Sequence, residues 1–283
     1  MINSLVRTAD LNDHQQLSNL IFFETRLHRH LDWRSPLEWL GAPFYWALEE
    51  HGHITAALAC PTEVDAVAWV RLFVYTGGWS PQDAWALLWA AAREAIIQAG
   101  GATVAAIAMQ PWFGKVLAAS GFENRQQIVM LEWQSQPWAS IEAEGFQIRR
   151  MTHADLAQVT KADNASFDPL WHNSFETLQR AFSQAFFATV AESSAGIIGY
   201  QLTSGHGQRA HLARLAVHPS MQGQGVGRAL LSDLFGSLIS TGTTRLSVNT
   251  QSDNHISLRL YTTMGFQRTG EEYPVYTVTV PAA

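Results

Sequence analysis

From residue 146 onward the spacing of apolar side chains changes period in a regular order. Phe146 to Met151 alternates as a strand, residues 154–166 and 174–185 carry helical spacing, and Phe186 to Val190 and Ile197 to Thr203 are runs of β-formers. A strand over 210–217 follows. Then come a helix over 225–240 with Leu230, Leu231, Leu234 and Leu238 on one face, a strand over 245–250 and a helix over 254–264. The alternating tail Tyr273-Pro-Val-Tyr-Thr-Val-Thr-Val280 is expected to close this unit. Strands interleaved with helices predict a mixed α/β fold.

The first half of the chain repeats the second at a nearly constant offset. Ala9-Asp-Leu11 matches Ala154-Asp-Leu156 at 145, and Ala86-Leu-Leu88 matches Ala229-Leu-Leu231 at 143. Gly100 matches Gly242 at 142, Gly121-Phe122 matches Gly265-Phe266 at 144, and Arg71-Leu72 falls on Arg214-Leu215 at 143. Self-similarity held along a whole half indicates duplication. The expected division is a domain over 1–135 and another over 144–283. A polar linker from Gln134 to Gly145, containing Pro137, joins them.

The sharpest chemical signal is the turn Gln222-Gly-Gln-Gly-Val-Gly-Arg228, between the strand ending at Val217 and the following helix. Glycines at alternate positions let successive backbone N–H groups converge without Cβ obstruction, and the helix start adds the positive end of its dipole. A phosphate group suits such a place. Two better-known phosphate loops do not fit: a P-loop requires a Lys after its last glycine, and none is present. A dinucleotide fingerprint needs glycine where Arg228 stands and an acid on the next strand, which offers only Asn249 and Thr250.

The Q-x-x-G-x-G core Gln222 to Gly227 resembles the acetyl-CoA loop of the GNAT superfamily of N-acetyltransferases, and its flanks resemble that family too. Leu215-Ala-Val-His-Pro219 is similar to the strand end that precedes the loop. Asn254, Leu260, Tyr261, Gly265 and Phe266 are similar to the Asn-opened helix ending in Leu-Tyr-x-x-x-Gly-Phe. The resemblance implies two tandem GNAT-like domains of mixed α/β fold. It also implies an acetyl-CoA site built from Leu215, Ala216, Val217, Gln222, Gly223, Gln224, Gly225, Val226, Gly227, Arg228 and Asn254. Tyr261 takes the position of the acid that protonates the departing thiolate. His211 is the candidate base, since the arylalkylamine branch of the family carries histidine in a similar Ala-His-Leu-x-x-Leu-Ala-Val string. That branch has a second histidine where this chain has Ala213. The segment Ser166 to Ser174 corresponds to the cover of the acceptor site, where Asp168 and Trp171 would hold an amine.

Aligned on the repeat, Trp79-Ser-Pro-Gln-Asp-Ala-Trp85 stands in place of the glycine turn, Leu117 in place of Tyr261 and Gln110 in place of Asn254. Proline removes an N–H and Asp83 sets a negative charge where a pyrophosphate would lie. The first domain is therefore expected to have lost its ligand chemistry. Ten of the eleven tryptophans fall at or before Trp138, which core packing explains, with filling of a vacated groove or a contact between domains as alternatives.

Charge is uneven as well. Residues 1–143 hold 8 Lys/Arg against 14 Asp/Glu, while 144–283 hold 10 of each, so the net charge of −6 lies in the first half and argues against a nucleic-acid surface. One cysteine excludes an internal disulfide, and Cys60 in the run Ile54 to Cys60 reads as a small buried hydrophobe. No apolar stretch spans a membrane, and the N-terminus enters a strand pattern without a signal peptide, so a cytoplasmic setting is expected. The pairs His28/His30 and His51/His53 lack further ligands at metal spacing and read as solvated loops; no metal is expected. The expected activity is acetyl transfer from acetyl-CoA to a primary amine, small-molecule or peptide, with no nucleic-acid or membrane partner; a homodimer is compatible with it. The alternative is a non-catalytic acyl-CoA binding or sensing module.

Overall fold

Each apolar run becomes a strand or helix close to where its period places it. The computed structural model describes residues 4–24, 26–136, 141 and 144–283. The middle of the expected linker over 134–145, with Pro137, lies outside the described residues. The chain makes two compact units, Met1–Gln126 together with Tyr273–Ala283, and Gln127–Glu272.

The first unit contains β1 (Ser4–Thr8), α1 (His14–Phe23), β2 (Leu27–Arg29), β3 (Tyr45–Glu50), β4 (His53–Ala59), β5 (Val67–Trp69), β6 (Leu72–Tyr75), α2 (Pro81–Gln98), β7 (Ala102–Ile107) and α3 (Pro111–Ala119). Its main sheet has the order β1-β3-β4-β6-β2, and β5 runs parallel to β7. Alternate residues of this sheet serve two cores: Leu48, Leu58 and Phe73 meet Trp85 and Leu88 of α2, while Ala57, Leu72 and Val74 share a cluster with Leu17 and Leu20 of α1. Five of the eight tryptophans in this unit are core residues: Trp39, Trp46, Trp69, Trp85 and Trp89 are all buried. Cys60 is buried too, and burial pushes its thiol up to about 12.

β8 (Glu123–Gln134) leads into the second unit. There follow β9 (Gln147–Arg150), α4 (Leu156–Ser166), α5 (Phe175–Gln184), β10 (Phe187–Ser193), β11 (Gly196–His206), β12 (Arg209–Val217), α6 (Val226–Ser240), β13 (Arg245–Gln251), α7 (His255–Thr263) and β14 (Gln267–Val280). In this unit the strand order is β8-β13-β12-β11-β10-β9. The four leucines expected on one face of α6 are all buried, and each contributes about 2 kcal/mol by leaving water. Trp133 of β8 stacks on Phe235 of α6 with ring centroids 4.3 Å apart.

The tail does not close the second unit. Val275–Val280 of β14 pairs antiparallel with Ile107–Ala102 of β7 in the first unit, while the second unit receives Ile128–Gln134 of β8 against Gln251–Arg245 of β13. The compact units therefore divide the sequence at 126/127 and 272/273, and each is completed by a strand from the opposite half of the chain. Periodicity identifies a strand and its faces but not its partner.

The duplication is visible in register and in side-chain chemistry. Val67 faces Thr103 and Trp69 faces Ala105 in the first unit; Arg209 faces Arg245 and His211 faces Ser247 in the second, 142 residues later in each case. Arg7 forks onto both oxygens of Asp13 and sends its Nε to Glu49 at 2.8 Å. Arg149 repeats the arrangement atom for atom with Asp155 and Glu192. Both carboxylates sit in capping boxes, begun by Asp10 in one unit and Thr152 in the other. Asp13, not Asp10, is thus the counterpart of Asp155, and the sequence match of Ala9-Asp-Leu11 to Ala154-Asp-Leu156 is three residues out of structural register.

Candidate functional site

Strand β12 follows β11 along its whole length but leaves β13 halfway. Its parallel pairing with β13 runs only from Arg209↔Arg245 to Leu212↔Val248. The departure has a local cause: on the β11 side Leu202 faces Arg214 and Thr203 faces Leu212, so Ala213 is an extra, bulged residue that bends the strand. Beyond it, Leu215, Ala216 and Val217 keep β11 on one side and have no strand partner on the other among the described residues. The result is a V-shaped split between β12 and β13, edged with backbone hydrogen-bonding groups.

The glycine turn stands at the wide end of this split. Gly223 and Gly225 have φ of +78° and +83°, and Gly225 is the residue immediately before α6. Only glycine takes that conformation without strain. A Cβ built on either would meet nothing within 4 Å, so the space in front of the turn is open. Ala229 N is bonded back to Gly225 O at 2.9 Å, so the N–H groups ahead of it precede the helical ladder. The two glutamines of the motif brace the turn from within: Gln222 Nε2 donates to Val217 O at 3.1 Å and Gln224 Nε2 to Ser220 O at 3.1 Å. Gly227 is needed for a different reason, since a Cβ there would come 3.1 Å from Leu260 of α7. Arg228 is exposed on the first turn of α6, and Val226 is buried beneath it.

Helix α7 brings in Tyr261. Asn254 opens that helix as its cap, its Oδ1 accepting from Ser257 N at 3.0 Å. Tyr261 is 4% exposed, packs against Phe266 with centroids 5.3 Å apart, and makes no side-chain hydrogen bond among the described residues. Burial raises its phenol well above the ordinary range, and the nearby Arg214 cation works in the opposite direction. His211 lies on the paired part of β12, before the bulge, with Nδ1 2.9 Å from Ser247 Oγ. Burial lowers its pKa, partly offset by a hydrogen bond with Asn249, so the imidazole is neutral at pH 7 and able to accept a proton.

The segment after α4 folds against the split strand. Asp168 is exposed and caps the turn Pro169–Trp171 through Leu170 N at 3.0 Å, while the His172 ring nitrogen Nε2 is 2.9 Å from Phe167 O. Ser166 Oγ donates to Val217 O at 3.1 Å. Beneath this segment lies a buried cluster that the sequence reading did not single out as functional. Arg214 forks onto Asp163, with Nε 2.8 Å from Oδ1 and Nη2 2.9 Å from Oδ2, Tyr200 OH donates to the same carboxylate, and Arg214 Nη2 also donates to Trp171 O at 2.6 Å. Asp163 and Tyr200 are fully buried. Burial opposes the charge of Arg214 but Asp163 outweighs it, and its pKa is raised. The one hint in the sequence is that Arg214 recurs as Arg71.

The first unit shows what the same architecture becomes without the glycine turn. Strand β6, the counterpart of Leu215–Val217, pairs with β4 on one side and with β2 on the other: Leu27, His28 and Arg29 face Val74, Phe73 and Leu72. The chain's own strand therefore occupies the edge that is open in the second unit. His28 is fully buried, stacked 4.0 Å from Phe113, with Nε2 3.0 Å from Val70 O. His28 is thus a core residue and not a loop histidine, whereas His51 and Gly52, at φ of +51° and +80°, do form a hairpin turn. At the helix start, Ser80 caps Asp83 N, and Trp79 Nε1 donates to Glu50 and Thr55 at 3.0 and 3.1 Å. Leu117 is wholly enclosed where the second unit has Tyr261.

Among the described residues no helix is long and apolar enough to cross a membrane. Residues 151–266 match the acetyltransferase (GNAT) family. An acetyltransferase of Yersinia enterocolitica is 32% identical over 78 residues, which is 28% of this chain and 55% of that protein, so the chain matches about half the length of this curated relative. The fold as a whole is similar to a GCN5-related N-acetyltransferase from Sphaerobacter thermophilus, at 16% identity and a TM-score of 0.65 over 99% of this chain and 96% of that one. It is also similar to a tandem GNAT protein from the clavulanic acid biosynthesis pathway, at 14% identity and a TM-score of 0.68 over the full length of both. A split strand, a glycine turn at a helix start and a duplicated mixed α/β fold agree with these likenesses: residues 151–266 belong to the acetyltransferase (GNAT) family, and the chain as a whole has the fold of a tandem GNAT protein.

Proposed function

We propose that the chain transfers an acetyl group from acetyl-CoA to a primary amine, with the chemistry confined to the second unit. The observation that carries this reading is the opened edge of β12 running directly into the strain-free glycine turn at the start of α6. The pantetheine arm lies along Leu215, Ala216 and Val217 as an added strand, and the pyrophosphate rests on the N–H groups from Gly223 to Arg228. Gln222 and Gln224 act by shaping the turn, and Asn254 by fixing the start of α7. Asp168 and Trp171 belong to the acceptor side, where an acid beside an aromatic ring holds an ammonium group.

In the reaction, His211 takes a proton from the ammonium, directly or through water, and the amine lone pair attacks the thioester carbonyl carbon. An N–H of the opened β12 edge polarises the carbonyl oxygen. The C–S bond then breaks, Tyr261 delivers a proton to the departing thiolate, and the second proton shed by the new amide nitrogen passes through solvent to restore the phenol. The first unit takes no part in this chemistry, since its own strand β2 fills the equivalent edge.

One acetyl-CoA should bind per chain. In titration calorimetry the wild type should give a stoichiometry near one, and Gly225→Asp should weaken binding by about 100-fold, because it sets a carboxylate against phosphate at a left-handed position. Two equivalent sites, or unaltered affinity in the variant, would refute the assignment. Free-thiol release over a panel of amines then separates an enzyme from a binding module.

A further inference from the structure

The buried cluster under the segment 166–173 has a geometry that ligand binding by the glycine turn does not require. Asp163 comes from α4, Tyr200 from β11 and Arg214 from β12, so three elements meet at one carboxylate. Arg214 then reaches out of the cluster: Nη2 donates to Trp171 O at 2.6 Å, and its guanidinium lies 3.5 Å from the centre of the Phe167 ring. With its amide oxygen turned to the guanidinium, Asn173 adds two contacts of 3.2 Å. Both ends and the middle of the segment are thereby tied to one side chain on the very stretch of β12 that has parted from β13.

The repeat supplies an internal control. Arg71, the counterpart of Arg214, pairs with Asp32 at 3.3 Å in the segment that follows β2 and with Glu63 in the loop after β4, and its guanidinium lies 5.6 Å from the centre of the Trp39 ring. The first unit has lost the glycines and the tyrosine but keeps an arginine at this position, again bound to carboxylates and an aromatic ring, although none of these partners comes from α1. Its retention there does not depend on a cofactor turn.

We propose that Arg214, held by Asp163 and Tyr200, is a positioning residue that fastens the segment Phe167–Asn173 across the opened edge of β12 and so sets the acceptor wall of the site. The assignment of that wall to an amine acceptor rests on the proposed function; the fastening itself does not.

The test uses the full-length chain and two variants. Asp163→Asn keeps the shape but removes the counter-charge; Tyr200→Phe keeps the ion pair and removes one hydrogen bond, should the first fail to fold. Amide hydrogen exchange is followed by mass spectrometry, acetyl-CoA affinity by calorimetry, and acetyl transfer to n-butylamine, spermidine and the dipeptide Ala-Ala by thiol release. In Asp163→Asn, exchange over Phe167–Asn173 should rise about tenfold, and the KM of whichever amine reacts should rise about tenfold, from losing a hydrogen bond to a charged group. Acetyl-CoA affinity and kcat should stay within about threefold of wild type, and Tyr200→Phe should shift the same readouts in the same direction by a smaller factor. Unchanged exchange in the segment overturns the proposal, as does exchange raised evenly across the unit or acetyl-CoA affinity falling in step with the amine KM. A wild type that acetylates none of the three amines counts against the amine-transfer reading and leaves the exchange data to decide on the fastening.

Discussion

Tyr261 and His211 illustrate what a single residue can and cannot announce. Tyr261 stands in a motif whose spacing fixes its place on α7, and the structure puts it within the electrostatic reach of Arg214. Tyr261→Phe should leave acetyl-CoA affinity unchanged and lower kcat by about 100-fold, because a poorly protonated leaving thiolate returns to the carbonyl; equal losses in calorimetric affinity and in steady-state turnover would make the residue structural. His211 was equally visible in the sequence, but its partners were not. Ser247 and Asn249 come from the next strand, and only the parallel register brings them to the imidazole. Asp163 left no trace in the sequence at all: it sits mid-helix among polar neighbours, and its burial depends on two partners 37 and 51 residues away.

At the scale of elements, the helices and strands of the second half follow from their periods, while the device that makes the site does not. The bulge at Ala213 lies inside an ordinary apolar run, and nothing in Ala-Arg-Leu-Ala distinguishes a bulged strand from a straight one. The same holds for β2, three residues long and flanked by charge, which periodicity could not separate from a loop. Its role gives the first unit an acid sensitivity. Burial lowers His28 to about 4, against about 6.5 in an unfolded chain, so the unfolded state binds the proton first as pH falls. The contribution, on the order of 3 kcal/mol, is complete above pH 6.5 and is lost progressively between 6.5 and 4. Melting followed by far-ultraviolet circular dichroism should show this loss in the wild type, and a smaller one over the same window in His28→Gln. An identical pH slope in both would remove His28 as the cause.

For the molecule as a whole, the internal repeat was legible from a handful of matched residues, but the exchange of strands was not, because an alternating strand fits either sheet. The exchange decides where the chain can be cut. A fragment over 127–272 contains β9 to β13 and the paired stretch Ile128–Gln134 of β8 and should fold cooperatively and bind one acetyl-CoA, whereas 144–283 lacks β8 and carries an unpaired Val275–Val280. Thermal melts and calorimetry on the two fragments check this, and full activity in 144–283 alone would count against it. The crossing also sets an order of events during synthesis. Residues 1–126 leave the ribosome first, yet β7 has no partner on its β14 side until Val275–Val280 are made, more than 160 residues later. The half that begins the chain is therefore finished last, and for most of its synthesis it holds out an exposed strand edge, the feature through which nascent chains most readily pair with one another.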